Sequence, residues 1–89
     1  MRKHHQTHPD VVKRLKRATG HLNAIVTMIE DERSCPEVLQ QMSAVLAAIQ
    51  KSRKIFLEDH LTGCIVEAAA SGDSDAALEE MSATLRMIL

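Results

Sequence analysis

Three side chains have the types and spacing of a small metal site. His60 and Cys64 are four residues apart, so on a helix they lie on one face, one turn from each other. An imidazole and a thiol at this spacing offer two ligand atoms to one ion. Cys35, the only other cysteine of the chain, supplies one more thiol. These residues indicate metal or thiol redox chemistry, with a buried structural cysteine beside an ordinary histidine as the alternative.

Cys35 lies far from this pair along one continuous helix. The 25 residues that separate Cys35 from His60 span about 37 Å at about 1.5 Å per residue. An antiparallel second copy of the chain would bring its own Cys35 beside His60 and Cys64. Two thiolates and one imidazole form a soft set of three ligands, which suits Cu(I), whereas Zn(II) prefers four ligands. The sequence therefore favours a copper site shared by two subunits.

The first of three predicted helices begins near Pro9, a residue that the first turn of a helix tolerates. Apolar residues then recur at spacings of three and four, which is the period of an amphipathic helix. They are Val11, Leu15, Ala18, Leu22, Ile25 and Ile29. Because Pro36 disfavours helical geometry at Cys35, we expect this helix to end at the acidic residues 30–32.

The second predicted helix runs from Pro36 to Ala70, because nothing breaks its period before the Ser-Gly-Asp sequence that follows. It would be about 50 Å long. One face carries Leu39, Met42, Leu46, Ile49, Phe56 and His60. The other face carries Val38, Val45, Ala48, Ile55 and Ile65. Two shorter helices cannot cover both faces, so we expect a dimer of helical hairpins or a larger assembly.

A third helix is predicted after Gly72, with Asp73 or Ser74 as its N-cap. Its apolar stripe is Leu78, Met81, Leu85 and Ile88. Hydrophobic residues make up 45% of the 89 residues but aromatic residues only 1%, which favours helices over sheets. We therefore expect an all-α fold, in one domain over residues 1–89, with residues 1–8 as a flexible tail that contains histidines.

Basic residues are concentrated in two parts of a chain whose formal net charge is only −1. Residues 1–21 carry a charge of +5 and residues 51–54 carry +3, whereas the remaining segments are acidic. The basic side chains on the predicted helices are Lys13, Arg14, Lys16, Arg17, Lys51, Arg53 and Lys54. This segregation indicates a polyanionic partner such as nucleic acid, with ordinary solvated helix surfaces as the alternative.

No stretch reaches the roughly 18 apolar residues of a membrane span, and the N-terminus has no apolar signal segment. The sequence therefore predicts a cytoplasmic protein without a membrane partner. In that reducing compartment a disulfide between Cys35 and Cys64 is disfavoured. No nucleophile–base pair is evident, so the sequence does not indicate an enzyme.

Over nearly its whole length the chain resembles the CsoR/RcnR family of metal- and stress-sensing repressors. The resemblance rests on the basic helix RLKRATGHLNAIVTMIE, the segment CPEVLQQMSAVLAAI, and HLTGC with the acidic turn and helix that follow. It implies a three-helix subunit with a long central helix, which forms an antiparallel helical-bundle dimer and then a homotetramer. It further implies a repressor that binds operator DNA when metal-free and so controls metal efflux or homeostasis genes.

The resemblance also implies roles for single residues. Copper-sensing members use Cys, His and Cys at the positions of Cys35, His60 and Cys64, which implies that Cu(I) releases the DNA. Glu80 falls where the family places a carboxylate near the metal-binding histidine, and would accept the other ring N–H of His60. The family's DNA-contacting residues match positions that include Arg14 and Lys51.

Alternatives remain both within the family and outside it. Further imidazoles would raise the coordination number to suit Ni(II) or Co(II), as in the nickel-responsive members. These are His4, His5, His8 and His21. One departure from the copper-sensing members is Ser34, where they often carry an aromatic residue. The alternative of a different class is a cytosolic metal-buffering helical protein that does not bind DNA, and the basic patches argue against it.

Overall fold

The computed structural model describes residues 7–72 and 74–88. It contains three α-helices, which are α1 (His8–Glu30), α2 (Cys35–Ser71) and α3 (Ser74–Ile88). The prediction of an all-α subunit with a long central helix is confirmed, and each helix end that the sequence predicted lies within two residues of its predicted place. None of these helices is long and apolar enough to cross a membrane.

The start of α1 is fixed by contacts with α2. The hydroxyl of Thr7 donates to Asp59 Oδ2 at 2.5 Å, and the ring of His8 stacks on Phe56 with centroids 5.1 Å apart. Pro9 occupies the first turn, as predicted. The sequence assigned Thr7 and His8 to the flexible tail. That assignment was wrong, because both residues have partners on α2 and His8 is the first residue of the helix.

The turn between α1 and α2 reverses the chain within four residues. Glu32 has a φ of 57°, in the left-handed region that a residue just after a helix often adopts. Its N–H donates to the carbonyl of Ile29, and the N–H of Arg33 donates to the carbonyl of Met28. These two bonds satisfy carbonyls that the end of α1 would otherwise leave unpaired.

Ser34 caps the N-terminus of α2. Its hydroxyl accepts from the backbone N–H of Glu37 and donates to the carboxylate of the same residue at 2.9 Å. Arg33 also pairs with Glu37. Cys35 is the first residue of α2. The start of this helix is held by the contacts of Arg33 and Ser34 with Glu37.

The helices α1 and α2 pack antiparallel along one face of each. The core between them consists of Ala18, Ile25, Val38 and Val45, with Met28 packed against it. Alternate members of the predicted α1 stripe are not buried, since Leu15, Leu22 and Ile29 are about half exposed. On α2 the face that carries Leu46 stays in solvent. One subunit therefore buries only part of its apolar surface.

The third helix folds back on the C-terminal half of α2. Gly72 ends α2 in the left-handed conformation, with a φ of 76° that side-chain-bearing residues rarely adopt. The helix begins at Ser74, and the other predicted N-cap, Asp73, lies outside the described residues. None of the residues described in α3 is buried. This helix is therefore the least firmly packed of the three.

Candidate metal centre

Three potential ligands meet where α3 packs on α2. The Sγ atom of Cys64 lies 3.8 Å from Nε2 of His60 on the preceding turn of α2. Glu80, from α3, places its Oε2 atom 2.9 Å from the Cys64 sulfur and 3.2 Å from His60 Nε2. All three ligand atoms lie within 4.8 Å of one another. The four-residue spacing of His60 and Cys64 on α2 and the packing of α3 against α2 together create this cluster.

The cluster is accessible on one side. Cys64 is buried, whereas the side chains of His60 and Glu80 are 32% and 57% exposed. A cleft of about 150 Å³ borders Cys64 and Glu80 between α2 and α3. An ion can therefore approach the thiol through this cleft. The burial of Cys64 fixes the direction in which its sulfur points.

The donor set fits a metal ion in its chemistry. A thiol, an imidazole and a carboxylate are all metal ligands, and His60 has a second ring nitrogen, Nδ1, besides the one that faces Glu80. A carboxylate at Nε2 favours a proton on that nitrogen, which leaves Nδ1 with a lone pair for a metal. This contact is the one that the family resemblance implies for Glu80.

Cys35 is not part of this cluster within one subunit. It is exposed at the first turn of α2, and about 37 Å of helix separates it from His60. The two ends of α2 therefore carry the two halves of the predicted ligand set. Only a second chain can bring them together.

Of the remaining predicted histidine ligands, the structure describes His8 and His21, and neither belongs to the cluster around Cys64. His21 lies on α1, where its Nε2 atom is 2.7 Å from the side-chain oxygen of Gln41. His8 stacks on Phe56, one helical turn before His60. His4 and His5 lie outside the described residues.

The basic side chains lie on α1 and on the middle of α2, and all are exposed except the half-buried Arg14. Arg14 and Arg17 line a shallow depression of about 130 Å³ together with Ala48, one turn before Lys51. The antiparallel packing of α1 and α2 thus brings the two basic segments to neighbouring positions. Arg53 instead lines an apolar groove beside Phe56.

An ion pair on α1 holds one of these basic residues. Arg14 Nε lies 2.9 Å from Asp10 Oδ2, one turn earlier on the helix. The hydrogen bond from Arg14 lowers the pKa of the Asp10 carboxyl, and the nearby charges of Lys13 and Arg17 act in the same direction. Sequence reasoning missed this pair, although its four-residue spacing is readable.

Two further features were missed at the ends of α1 and α2. Ser34 and Glu37 have the spacing of a capping box, which is a readable signal for the start of a helix. The bond between Thr7 and Asp59 joins residues 52 positions apart and has no signal in local spacing.

Comparison with known proteins places the chain in a family. The model of the metal-sensitive transcriptional repressor family matches residues 7–87. The copper-sensing transcriptional repressor CsoR of Bacillus subtilis is 39% identical over 71 residues, which are 80% of this chain and 70% of that protein. The copper-sensing repressor RicR of Mycobacterium tuberculosis is 35% identical over 86 residues, 94% of this chain and 90% of that protein.

A solved structure has the same fold. The nickel-responsive transcriptional regulator InrS superimposes with a TM-score of 0.84 at 38% identity, covering 91% of each chain. CsoR of Mycobacterium ulcerans is 36% identical over 70 residues, which are 79% of this chain. The match spans only 60% of the length of that protein. The match over residues 7–87 and the shared fold lead to one conclusion: the chain belongs to the metal-sensitive transcriptional repressors.

Proposed function

We propose that this chain is a single-domain transcriptional repressor that binds operator DNA when metal-free and releases it on binding Cu(I). The proposed ligands of Cu(I) are Cys35 of one subunit and His60 and Cys64 of another. The observation that carries the proposal is the His60–Cys64 pair, held at the junction of α2 and α3 in contact with Glu80. The copper-sensing repressors CsoR and RicR among its relatives support the choice of copper.

The shared site requires an antiparallel dimer, which we propose assembles further into a homotetramer. Cys35 and His60 lie toward opposite ends of α2, so two α2 helices that run in opposite directions bring each Cys35 to the partner's His60. The exposed apolar residues of α1 and α2 supply the contact surface. They include Val12, Leu15, Leu22, Leu39, Leu46 and Phe56. Bound Cu(I) would add a link between the two subunits.

Glu80 would couple this site to α3. Its carboxylate contacts His60 Nε2 at 3.2 Å, so the ring orientation that leaves Nδ1 for the metal is supported from α3. A ligand releases DNA only if it prefers the conformation that binds DNA weakly. A coupling of about 1–3 kcal/mol, which is typical of allostery, corresponds to roughly 5–150-fold weaker DNA binding.

The DNA-binding face would be formed by the neighbouring basic residues of α1 and α2. These are Lys13, Arg14, Lys16, Arg17, Lys51, Arg53 and Lys54. Contacts from such side chains to phosphates give an affinity that falls as salt rises. A protein that binds operator DNA acts where the DNA is, so the proposal places it in the cytoplasm.

Copper binding and DNA release can be measured on the same protein. We expect Cys35→Ala to lose most of its Cu(I) affinity in a chelator competition, since it removes one thiolate of two, while Ser43→Ala leaves the affinity unchanged. Fluorescence anisotropy of labelled operator DNA should show release by Cu(I) from the wild type and from Ser43→Ala, but not from Cys35→Ala. Undiminished Cu(I) binding by Cys35→Ala would refute the shared site. Absence of salt-dependent DNA binding would favour the metal-buffering alternative.

A Ni(II)- or Co(II)-sensing repressor is the second candidate, and one contact favours it. Thr7, which follows His4 and His5 closely in the sequence, is bonded to Asp59, the residue before His60. The nickel-responsive InrS has the same fold. X-ray absorption of nickel-loaded protein should then show several imidazole nitrogens, and replacing His4 and His5 with alanine should lower their number to that supplied by the remaining histidines.

A further inference from the structure

We propose that His60, Cys64 and Glu80 of a single subunit form a site for a borderline divalent cation of the zinc class, with Glu80 as a direct ligand. This site needs neither Cys35 nor a second chain. It rests on the proposed function only in sharing His60 and Cys64 with the copper set. The third ligand then decides which ion is held: the partner's thiolate selects a soft monovalent ion, and Glu80 selects a divalent one.

The distances within the cluster carry this inference. Zn(II) binds sulfur, nitrogen and oxygen at about 2.0–2.3 Å, so two ligands of one tetrahedral ion lie about 3.3–3.7 Å apart. The three distances in the subunit are 2.9 Å for sulfur to oxygen, 3.2 Å for nitrogen to oxygen and 3.8 Å for sulfur to nitrogen. Shifts of several tenths of an ångström in the positions of the ligand atoms would bring them to the spacing that an ion requires. The helices α2 and α3 already hold the three ligands together within one subunit.

The chemistry of the third ligand separates the two ions. Carboxylate oxygen is a hard ligand, which suits divalent ions and not Cu(I). The thiol of Cys64 donates a hydrogen bond to Glu80 Oε2. On binding, the thiol proton is released to water and the proton on Nε2 of His60 moves to Nδ1, so that the Cys64 thiolate, His60 Nε2 and the Glu80 carboxylate all face the ion. Three protein ligands with a fourth position left to water is a common zinc arrangement.

The position of Glu80 gives this site a structural consequence of its own. His60 and Cys64 belong to α2, whereas Glu80 belongs to α3, none of whose described residues is buried. A divalent ion would therefore tie α3 to α2 within one subunit. Cu(I) at the proposed copper set would instead tie two subunits together, and would leave Glu80 as a hydrogen-bond acceptor of His60.

The wild-type protein gives the first test. X-ray absorption of the full chain, reduced and loaded with one Zn(II) per subunit, should show one sulfur and two or three nitrogen or oxygen ligands. Hydrogen exchange of the same sample should slow in α3. Two sulfur ligands per zinc would overturn the proposal, because the second sulfur must come from Cys35.

Variants give the second test, by competition of Zn(II) and Cu(I) with chromophoric chelators. Loss of a supporting hydrogen bond weakens metal binding roughly 10–100-fold. As a direct ligand, Glu80 should matter more, so Glu80→Gln should weaken Zn(II) binding more than 100-fold, while the matched control Glu79→Gln changes nothing. Glu80→Asp should restore part of the affinity. Cys35→Ala should leave Zn(II) binding within a few-fold of wild type and lose Cu(I).

The outcomes distinguish this site from the copper proposal. Zn(II) binding by Glu80→Gln that is weakened less than about 100-fold would overturn the divalent site, whatever happens to copper, because a supporting hydrogen bond alone accounts for a loss of that size. Loss of Zn(II) binding in Cys35→Ala would also overturn it. Tight Zn(II) binding that depends on Glu80, in a protein with no tight Cu(I) binding, would support the divalent site and refute the copper proposal. Cobalt(II) serves as a check, since a thiolate charge-transfer band should be present in the wild type and absent in Cys64→Ala.

Discussion

Thr7 is bound to Asp59 by two hydrogen bonds that cross from the start of α1 to α2. The hydroxyl of Thr7 donates to Oδ2 at 2.5 Å, and its backbone N–H donates to the same oxygen at 3.3 Å. Thr7 is the N-cap residue of α1, yet its side chain does not cap its own helix. Because Asp59 directly precedes His60, the start of the basic helix is attached to the residue beside the candidate metal centre.

Removing this attachment should loosen α1. We expect Asp59→Ala to lower the free energy of unfolding of the metal-free protein by about 1–2 kcal/mol, because two donors of Thr7 lose a partly buried acceptor. Urea unfolding at one fixed protein concentration measures this effect. Hydrogen exchange should accelerate in the first turn of α1. Glu58→Ala, which changes an exposed neighbour, is the control, and equal losses in the two variants would contradict the prediction.

The sequence was sufficient to predict the three helices and two of the three residues of the candidate metal centre. Helical spacing located α1, α2 and α3 because apolar residues recur every three to four positions and proline and glycine mark the ends. The same spacing placed His60 and Cys64 on one face. The contact with Glu80 came only from resemblance to a family, because no local pattern relates residues 16 positions apart.

The choice of packing face could not be predicted. Both faces of α2 are apolar, so hydrophobic spacing alone does not show which one α1 covers. In the structure α1 packs on the face of Val38 and Val45, and Leu46 remains 59% exposed. The buried Ser52 lies on the covered face, where its hydroxyl donates to the Ala48 carbonyl. A serine at that position gives no apolar signal, so the pattern of the covered face is incomplete.

The N-cap of α2 should stabilise the protein. Ser34→Ala removes the acceptor for the Glu37 N–H and should lower the free energy of unfolding by about 1 kcal/mol. Ser43→Ala, at an exposed position inside the same helix, should leave stability unchanged or slightly raised, since alanine favours helices. Urea unfolding of the two variants checks the difference. Equal stability of the two would show that the cap contributes nothing.

Acid should weaken the same helix end. The hydrogen bond from Arg33 lowers the pKa of Glu37, and bonds from Ser34 act in the same direction. A carboxyl whose pKa is lower in the folded state stabilises the fold above its ordinary value of 4.5, and this contribution is lost as the pH falls below that value. Glu37→Gln should therefore lose stability at pH 7 but differ less from the wild type at pH 3. A difference that is independent of pH would contradict the role of the charge.

The exposed apolar surface should drive assembly without metal. A groove of about 470 Å³ is lined by Val12, Leu15 and Phe56, among others, and Leu46 lies on the uncovered face of α2. Sedimentation of metal-free wild type at micromolar concentration should give a tetramer, because this surface is present whether or not copper binds. Leu46→Glu should shift the protein to smaller or unfolded species, while Gln40→Glu, an exposed polar position on α2, should not. A stable wild-type monomer would reject the proposed assembly.

The ion pair between Asp10 and Arg14 should limit DNA binding. Arg14 is bonded to Asp10 at 2.9 Å, so contact with a phosphate requires the guanidinium to exchange a carboxylate for a phosphate. In Asp10→Asn the guanidinium is released, and we expect DNA affinity to rise by up to about fivefold, the upper range for an exposed ion pair.

The salt dependence separates this effect from a general change in charge. If the freed Arg14 gains a phosphate contact, the slope of log affinity against log salt should steepen by nearly one unit. Glu30→Gln also removes one negative charge from α1, but at its far end, where the residue four positions later is Ser34 and not a basic residue, so its slope should match the wild type. Anisotropy titrations of operator DNA at several salt concentrations measure both slopes. Tighter binding of similar size in both variants would assign the gain to net charge, and no gain in Asp10→Asn would remove Arg14 from the DNA-binding face.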